Sequence, residues 1–362
     1  MKKNLFITIL AAASLLATAR AAEPAQRNAL RAPAYPLITI DPYTSCWSAG
    51  DYLYDSHTTH WTGQPFPLVG ALRVDGKVYR FMGIDAPTGA FDANFGGERH
   101  FSVPAVQRSA DVQAMQTVYE FTCGPVGLTL TFTAPLFLDD LELISRPVNY
   151  ISYKTRSLDG AAHDAQIYFE ASPACAVNNA EQESVSKSYR KEGLTFVSTG
   201  SKEQKILHRK GDQIKIDWGY FYLCVQNGKA GWRKVKGETF VTAEAALSEG
   251  NALFAFAYDD IDSIEYFKKP LKAYWKRSGK TIVEAIADAF AEYPALCARE
   301  REFSQTLTRK ATEAGGEIYA DMLTLAYRQV MAAHKLVEDE QDGLLYISKE
   351  CLSNGCAATA DV

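Results

Sequence analysis

LTLTFTA, Leu128 to Ala134, is the stretch on which the fold turns. Leu128, Leu130, Phe132 and Ala134 fall on one side, and Thr129, Thr131 and Thr133 on the other. Successive side chains leave a strand on opposite faces, so this alternation is the period of a half-buried strand. NYISYKT, AQIYFEA, LTFVSTG, QIKIDWGYFYLCV and NALFAFAYDD continue in the same manner. Gly124-Pro125, Asp159-Gly160, Lys210-Gly211-Asp212 and Glu249-Gly250-Asn251 separate them as turn signals. From about Val112 to Asp260 the expectation is a large antiparallel β-sandwich, bigger than an immunoglobulin-type unit.

Upstream, GALRVDGKVYRFMG (Gly70 to Gly83) places Asp75-Gly76 between two alternating runs, a strong two-residue hairpin signal. Downstream the period becomes helical. Thr281 and Glu284 form a capping-box signature, with Ile282, Ile286, Phe290 and Tyr293 on one face and Pro294 as a kink point. Gly315-Gly316 reads as a stop. A second helix is expected from about Glu317 to Glu340, with Tyr319, Leu323, Ala326, Val330, Ala333 and Val337 along its apolar face.

The chain has 362 residues, 47% of them hydrophobic and 22% charged, with a net charge of −5. It shows no basic patch, so nucleic acid is not an expected partner. Lys2 and Lys3, the apolar run Leu5–Leu16 and Ala19-Arg20-Ala21 have the pattern of a secretory signal peptide. That run is too short to span a membrane, and the expectation is export to the periplasm or the extracellular space. Seven Cys, odd in number and scattered in spacing, argue against a disulfide framework, and no C-x-x-C occurs. Cys351 and Cys356 are near enough in sequence to bridge, but free thiols are the expectation.

No G-x-S-x-G, G-x-x-x-x-G-K-[ST], H-E-x-x-H or G-x-G-x-x-G is present. No cofactor is expected. His57-Thr58-Thr59-His60 could share a metal, but no third ligand is identifiable, and loop-packing histidines are the expectation. The segment Asp41–Gly70 concentrates Tyr, Trp, His and Asp. Its Trp47, Tyr54 and Trp61 could stack on a sugar ring or a planar amide, or could equally be core formers. Glu350, Asn354 and Asp361 lie in the final stretch, where two carboxylates could do general acid–base work.

Three stretches carry a resemblance. Ala32–Gly83, APAYPLITIDPYTSCWSAGDYLYDSHTTHWTGQPFPLVGALRVDGKVYRFMG, resembles the opening of the extracellular glutaminase A-type proteins of Bacteroidota and fungi. Ser263–Ile282, SIEYFKKPLKAYWKRSGKTI, is similar to that family's join between sandwich and helices. Tyr319–Val337, YADMLTLAYRQVMAAHKLV, with Ser348–Val362, SKECLSNGCAATADV, resembles the start of its central domain. The resemblance implies a mainly β chain: a large antiparallel β-sandwich, then helices that begin an (α/α)6 six-hairpin-type toroid. It also implies secretion and the hydrolysis of glutamine to glutamate and ammonia. The family's stretch continues past Val362, so the resemblance implies an incomplete toroid and a chain lacking most of it.

On this reading residues 1–21 are signal peptide and 22–95 an aromatic-rich strap and hairpin. Residues 96–280 are the sandwich, 281–316 connecting helices and 317–362 the start of the toroid. Trp47, Asp51, His60 and Trp61 are expected to line or brace the cleft between sandwich and toroid, with Glu350, Asn354 and Asp361 facing it. Asp361, then Glu350, is the expected acid or base, and the partner is a small-molecule substrate, glutamine or a glycan. Two other functions fit the residues. An aromatic cleft with two carboxylates would suit a glycosidase-like enzyme, and a sandwich with few helices would suit a non-catalytic binding fragment.

Overall fold

The computed structural model describes residues 25–84, 103–179, 181–209, 214–235, 238–247 and 250–348. Among these, two large sheets face each other. One has nine strands in the order Ala25–Gln26, Val106–Val112, Gln116–Cys123, Val126–Thr133, Val148–Ser157, Asn251–Asp259, Tyr220–Gln226, Leu194–Ser201 and Ser184–Lys191. The other has six, in the order Gly228–Val235, Glu238–Ala246, Ala165–Ala171, Leu68–Val74, Lys77–Met82 and Val103–Pro104. Pairing is antiparallel throughout except at the two short strands Ala25–Gln26 and Val103–Pro104, which pair parallel.

The alternation is realised as read from Leu128 to Phe132, whereas Ala134, expected on the same face, packs on the opposite side of the sheet. Leu128, Leu130 and Phe132 are buried between the sheets, and Thr129 and Thr131 are half-buried on the opposite face. Aromatic rings carry much of that inter-sheet core: Phe81 meets Phe121, and Phe66 meets Phe256, with ring centroids 5.7 and 6.0 Å apart. Asp75 and Gly76 both take positive φ, 48° and 83°, and close the hairpin Leu68–Met82 tightly. That hairpin supplies two strands of the six-stranded sheet, through its pairing with Ala165–Ala171.

The central strands of the nine-stranded sheet are apolar on both faces. In Tyr220–Gln226, Phe221, Leu223 and Val225 enter the inter-sheet core while Tyr222 and Cys224 enter a second one. In Asn251–Asp259, Phe254, Phe256 and Tyr258 face inward, and the small Ala255 and Ala257 face out. A sheet buried on both sides needs apolar residues on both sides. What covers the outer face is the long helix Ile282–Ala332, through Ile282, Ala285, Ile286, Ala289 and Phe290. The two alanines let it approach, and the Tyr150 hydroxyl donates to the Ala289 carbonyl across the seam at 3.1 Å.

The capping box at Thr281 and Glu284 is present with both its hydrogen bonds. Pro294 sits inside the helix, and the non-helical residue is Gly316 (φ 83°, ψ −179°), so the break falls at the glycine pair. Three expectations need correction. First, the second helical segment ends at Ala332, not near Glu340, and the chain turns into the hairpin His334–Asp339 with Gly343–Ser348. Val337 in that hairpin is buried against Ala273, to which it bridges, and Lys335 is held by two carboxylates described below. Those tertiary partners override a local helical pattern. Second, the buried face of the segment is Ala320, Thr324, Arg328 and Met331. The apolar stripe through Tyr319 and Val330 points outward, with Tyr319 45% exposed. Anchors fix this rotation: Asp321 accepts from Asn28 Nδ2 and the Leu30 amide, and the Tyr327 hydroxyl donates to the Leu136 carbonyl. Third, within QIKIDWGYFYLCV the described residues Ile214–Gly219 are not strand, and the strand begins at Tyr220. Cys46, Cys123, Cys175, Cys224 and Cys297 are free thiols, whereas Cys351 and Cys356 lie outside the described residues.

Gly219 precedes the strand Tyr220–Gln226 at φ 76°, and a Cβ there would lie 2.1 Å from the Asp259 carbonyl oxygen. Substituting Gly219→Ala is expected to destabilise the protein by at least about 2 kcal/mol, from left-handed backbone strain together with a backbone clash. Chemical denaturation, compared with the same change at the open turn glycine Gly160, measures it.

Candidate functional site

The strap is a ribbon of Tyr35–Asp41 paired with Thr44–Ser48, followed by a coiled return to Leu68. Asp41 shapes its turn by accepting the Tyr43 and Thr44 amides on Oδ1, at 2.9 and 2.8 Å. Trp47 is buried. Its indole N–H donates to Ser45 Oγ, and its backbone pairs both ways with Thr59. His60 is 0% exposed, with Nε2 3.1 Å from the Pro42 carbonyl and Nδ1 2.9 Å from Thr62 Oγ1. A carbonyl can only accept, so Nε2 carries the proton and Nδ1 accepts. Trp61 donates its indole N–H to the same Pro42 carbonyl at 3.0 Å. Burial lowers the His60 pKa to about 3. The ring is therefore neutral across the physiological range and works as a brace.

Asp51 lies elsewhere on the strap, exposed, with Arg31 Nε and Nη2 both on its Oδ1 at 3.0 and 2.8 Å. No hydrogen bond or ion pair among the described residues joins it to Trp47, His60 or Trp61. The structure thus gathers Trp47, His60 and Trp61 around one turn and leaves Asp51 apart. Among the described residues, no group of three His, Cys, Asp or Glu side chains could hold a metal. Glu350, Asn354 and Asp361 lie outside the described residues.

Beside the strap is a groove of about 650 Å³. Gln64, Pro65 and Pro67 form one wall, and the segment Ser172–Asn179 forms another. Gln182 fixes that segment: its Oε1 accepts the Asn178 and Asn179 amides, and its Nε2 donates to the buried Asp217. Lys215 reaches the wall between the two sides. Its Nζ donates to the carbonyls of Pro65 at 2.9 Å and Ala174 at 3.1 Å. Burial lowers its pKa.

Two further polar clusters sit where the helix meets the sandwich. Glu300 is buried on the sheet side of the helix and accepts Gln116 Nε2 at 2.7 Å, while its second carboxyl oxygen has no partner. Burial pushes its pKa up to about 8, and the charge of the equally buried Arg328 offsets this only in part. Burial also lowers Arg328, to about 10. In the other cluster, Lys335 Nζ bridges Asp41 Oδ2 at 2.7 Å and Asp260 Oδ2 at 2.9 Å. Ser263 Oγ donates to Asp260, and Lys276 Nζ stands 3.7 Å from its other oxygen. Burial pushes Asp260 up, but Lys335 and Lys276 outweigh it and hold the carboxyl below its usual range.

Sequence reasoning missed Lys215, Glu300, Arg328 and Lys335. Glu300 was legible: with Tyr293, Leu296 and Leu307 it falls on the apolar helical face. Lys215 sits between Ile214 and Ile216 in an alternating run that assigned it to solvent.

Replacing Lys335 by Met is expected to cost about 3–5 kcal/mol, because Asp41 and Asp260 would stay buried beside each other without their shared cation. Equilibrium unfolding checks this. Glu300 gives a pH prediction. Its native pKa lies above the unfolded value, so its stabilising contribution is present at low pH. That contribution is lost as pH rises from the ordinary carboxyl range through about 8. E300Q removes this term, so unfolding measured against pH should show the wild type losing ground to E300Q by up to about 1.4 kcal/mol per pH unit.

A family model described as a domain of unknown function (DUF4964) matches residues 7–87, and a second (DUF5127) matches 115–252. The model of the glutaminase A six helical-hairpin domain matches residues 316–362, starting at the non-helical Gly316. Glutaminase A of Aspergillus oryzae is 24% identical over 402 aligned positions, covering 98% of this chain and 55% of the relative. The chain therefore spans about half the length of that curated relative. With these three domain matches in order and a relative that aligns along nearly all of it, the chain is similar to the glutaminase A-type family over nearly its whole length.

Proposed function

We propose that this chain is part of a secreted hydrolase that converts L-glutamine to L-glutamate and ammonia. The hairpin domain carries the chemistry, and the sandwich carries the hairpin domain. The observation behind this reading is the alignment of nearly the whole chain with a protein named glutaminase A. Export rests on the Lys2–Ala21 pattern.

Hydrolysis of an amide needs an activated water or nucleophile, donors for the tetrahedral oxyanion and a proton for the departing ammonia. Asp361 is the first candidate for acid or base and Glu350 the second. Both follow the hairpin His334–Ser348, which the Lys335 ion pairs seat on the sandwich. Asn354 in the same stretch is an amide fit to hydrogen-bond a substrate amide or carboxylate. Of the strap residues, Trp47 and His60 brace from inside. Asp51 and Trp61 keep solvent-accessible surface that a substrate could meet.

The test is ammonia release from L-glutamine, by the protein produced from its gene and by its D361N variant. A fall of at least about 100-fold in D361N, with intact folding, is the expected outcome for a general acid or base. Wild-type rates in D361N would remove Asp361 from the mechanism. If the wild type releases no ammonia but releases sugar from an oligosaccharide panel, the amide reading fails in favour of a glycosidase.

A further inference from the structure

The groove beside the strap holds a buried lysine that pairs with no carboxylate among the described residues. Lys215 is 4% exposed. Two other lysines of low exposure show what the fold ordinarily provides. Lys335 has Asp41 and Asp260, and Lys276 has Asp259 at 2.6 Å with Asp260 behind it. Lys215 has two main-chain carbonyls and, among the described residues, no carboxylate at ion-pair distance. The nearby Cys175 thiol is held protonated by burial and supplies no negative charge. An ammonium has three N–H donors. Two are spent on Pro65 and Ala174, and the third is left at the groove wall. Burying a charge without a counter-charge is costly unless something pairs with it.

We propose that this groove is a binding subsite for a small molecule with one free carboxylate, whose oxygen accepts the third N–H of Lys215. The walls fit such a ligand. Pro65, Pro67 and Val177 give apolar contact, and Asn178 and Asn179 add amides. The volume is within the range of small-molecule sites. A single carboxylate suits one N–H of one ammonium, and among the described residues no arginine lines the groove to grip a phosphate or sulfate bidentately. Of the other charged lining residues, Lys202 and Glu183 pair with each other at 2.5 Å, and Lys234 and Glu181 are opposite in sign, so Lys215 carries the groove's net positive charge. Amino acids and uronic acids both have the required chemistry. The inference goes beyond the hydrolase reading, since the groove is built from strap and sandwich and uses neither Asp361 nor Glu350.

The experiment is calorimetric titration of the protein with L-glutamate, D-glucuronate, D-glucose and inorganic phosphate, on the wild type, K215M and K215R. The expected result is saturable binding of at least one carboxylate and none of glucose. K215M should weaken that binding at least about 10-fold, the loss of one charge-assisted hydrogen bond. K215R keeps the charge and should bind more tightly than K215M. This subsite is read by the K215M effect on binding and the hydrolase reading by ammonia release, so either can fail without the other. Which carboxylate binds distinguishes an amino-acid ligand from a sugar acid. No saturable carboxylate binding by the wild type would overturn the proposal. So would phosphate binding more tightly than either carboxylate, or a folded K215M, by circular dichroism, that binds as the wild type does. Should K215M fail to fold, K215R decides: retained binding supports the site, and wild-type folding with binding abolished overturns it.

Discussion

A single ammonium group ties the distant parts of this chain together. Lys335 belongs to the hairpin after the long helix, Asp41 to the strap near the start, and Asp260 to the end of a central strand. Its bond to Asp41 spans 294 residues of sequence. Buried ion pairs contribute little net stability compared with well-packed apolar residues, but they tolerate no misplacement. A hairpin shifted by one residue would put Lys335 on the other face and leave two carboxylates unpaired. The pairs therefore act on register. They set where the hairpin His334–Ser348 sits relative to the sandwich, and the Tyr327 and Asp321 hydrogen bonds fix the rotation of the helical segment before it.

The same electrostatic logic distinguishes the buried charges from one another. Asp260 and Lys335 stabilise each other, and both are held in their charged forms. Glu300 and Arg328 are buried on the same seam, but no direct ion pair forms between them among the described residues. Burial therefore dominates, and the carboxyl keeps its proton to about pH 8. Lys215 has neutral partners alone. Three buried sites thus show three outcomes: a compensated pair, a carboxyl neutralised by protonation and, among the described residues, a lysine without a counter-charge at a groove.

What could be read from the sequence was what is decided locally. The Asp75-Gly76 turn, the Thr281–Glu284 capping box and the Gly315-Gly316 break depend on a few adjacent residues, and each occurs where the sequence places it. The two-sheet core followed from alternation in stretches such as Leu128–Phe132. The hairpin at His334 was not legible, because HKLVED extends a helical pattern and its deciding partners are in the strap and at Asp260. The strap was legible as unusual, but its rings and acids serve a turn and an ion pair. A carbonyl that needs donors recruits His60 and Trp61 as readily as a ligand would. Lys215 escaped because a side chain's alternation gives its face and not what covers that face.

The nine-stranded sheet is the middle layer of three, and its central strands belong to both cores at once. Neither the six-stranded sheet nor the helix can leave without uncovering one face of Tyr220–Gln226 and Asn251–Asp259. Opening either side exposes a continuous apolar surface, so these strands lack a partial opening of low free energy. Their amide hydrogens should exchange with solvent only through global unfolding, whereas those of the edge strand Ser184–Lys191, with its mostly exposed side chains, exchange by local fraying.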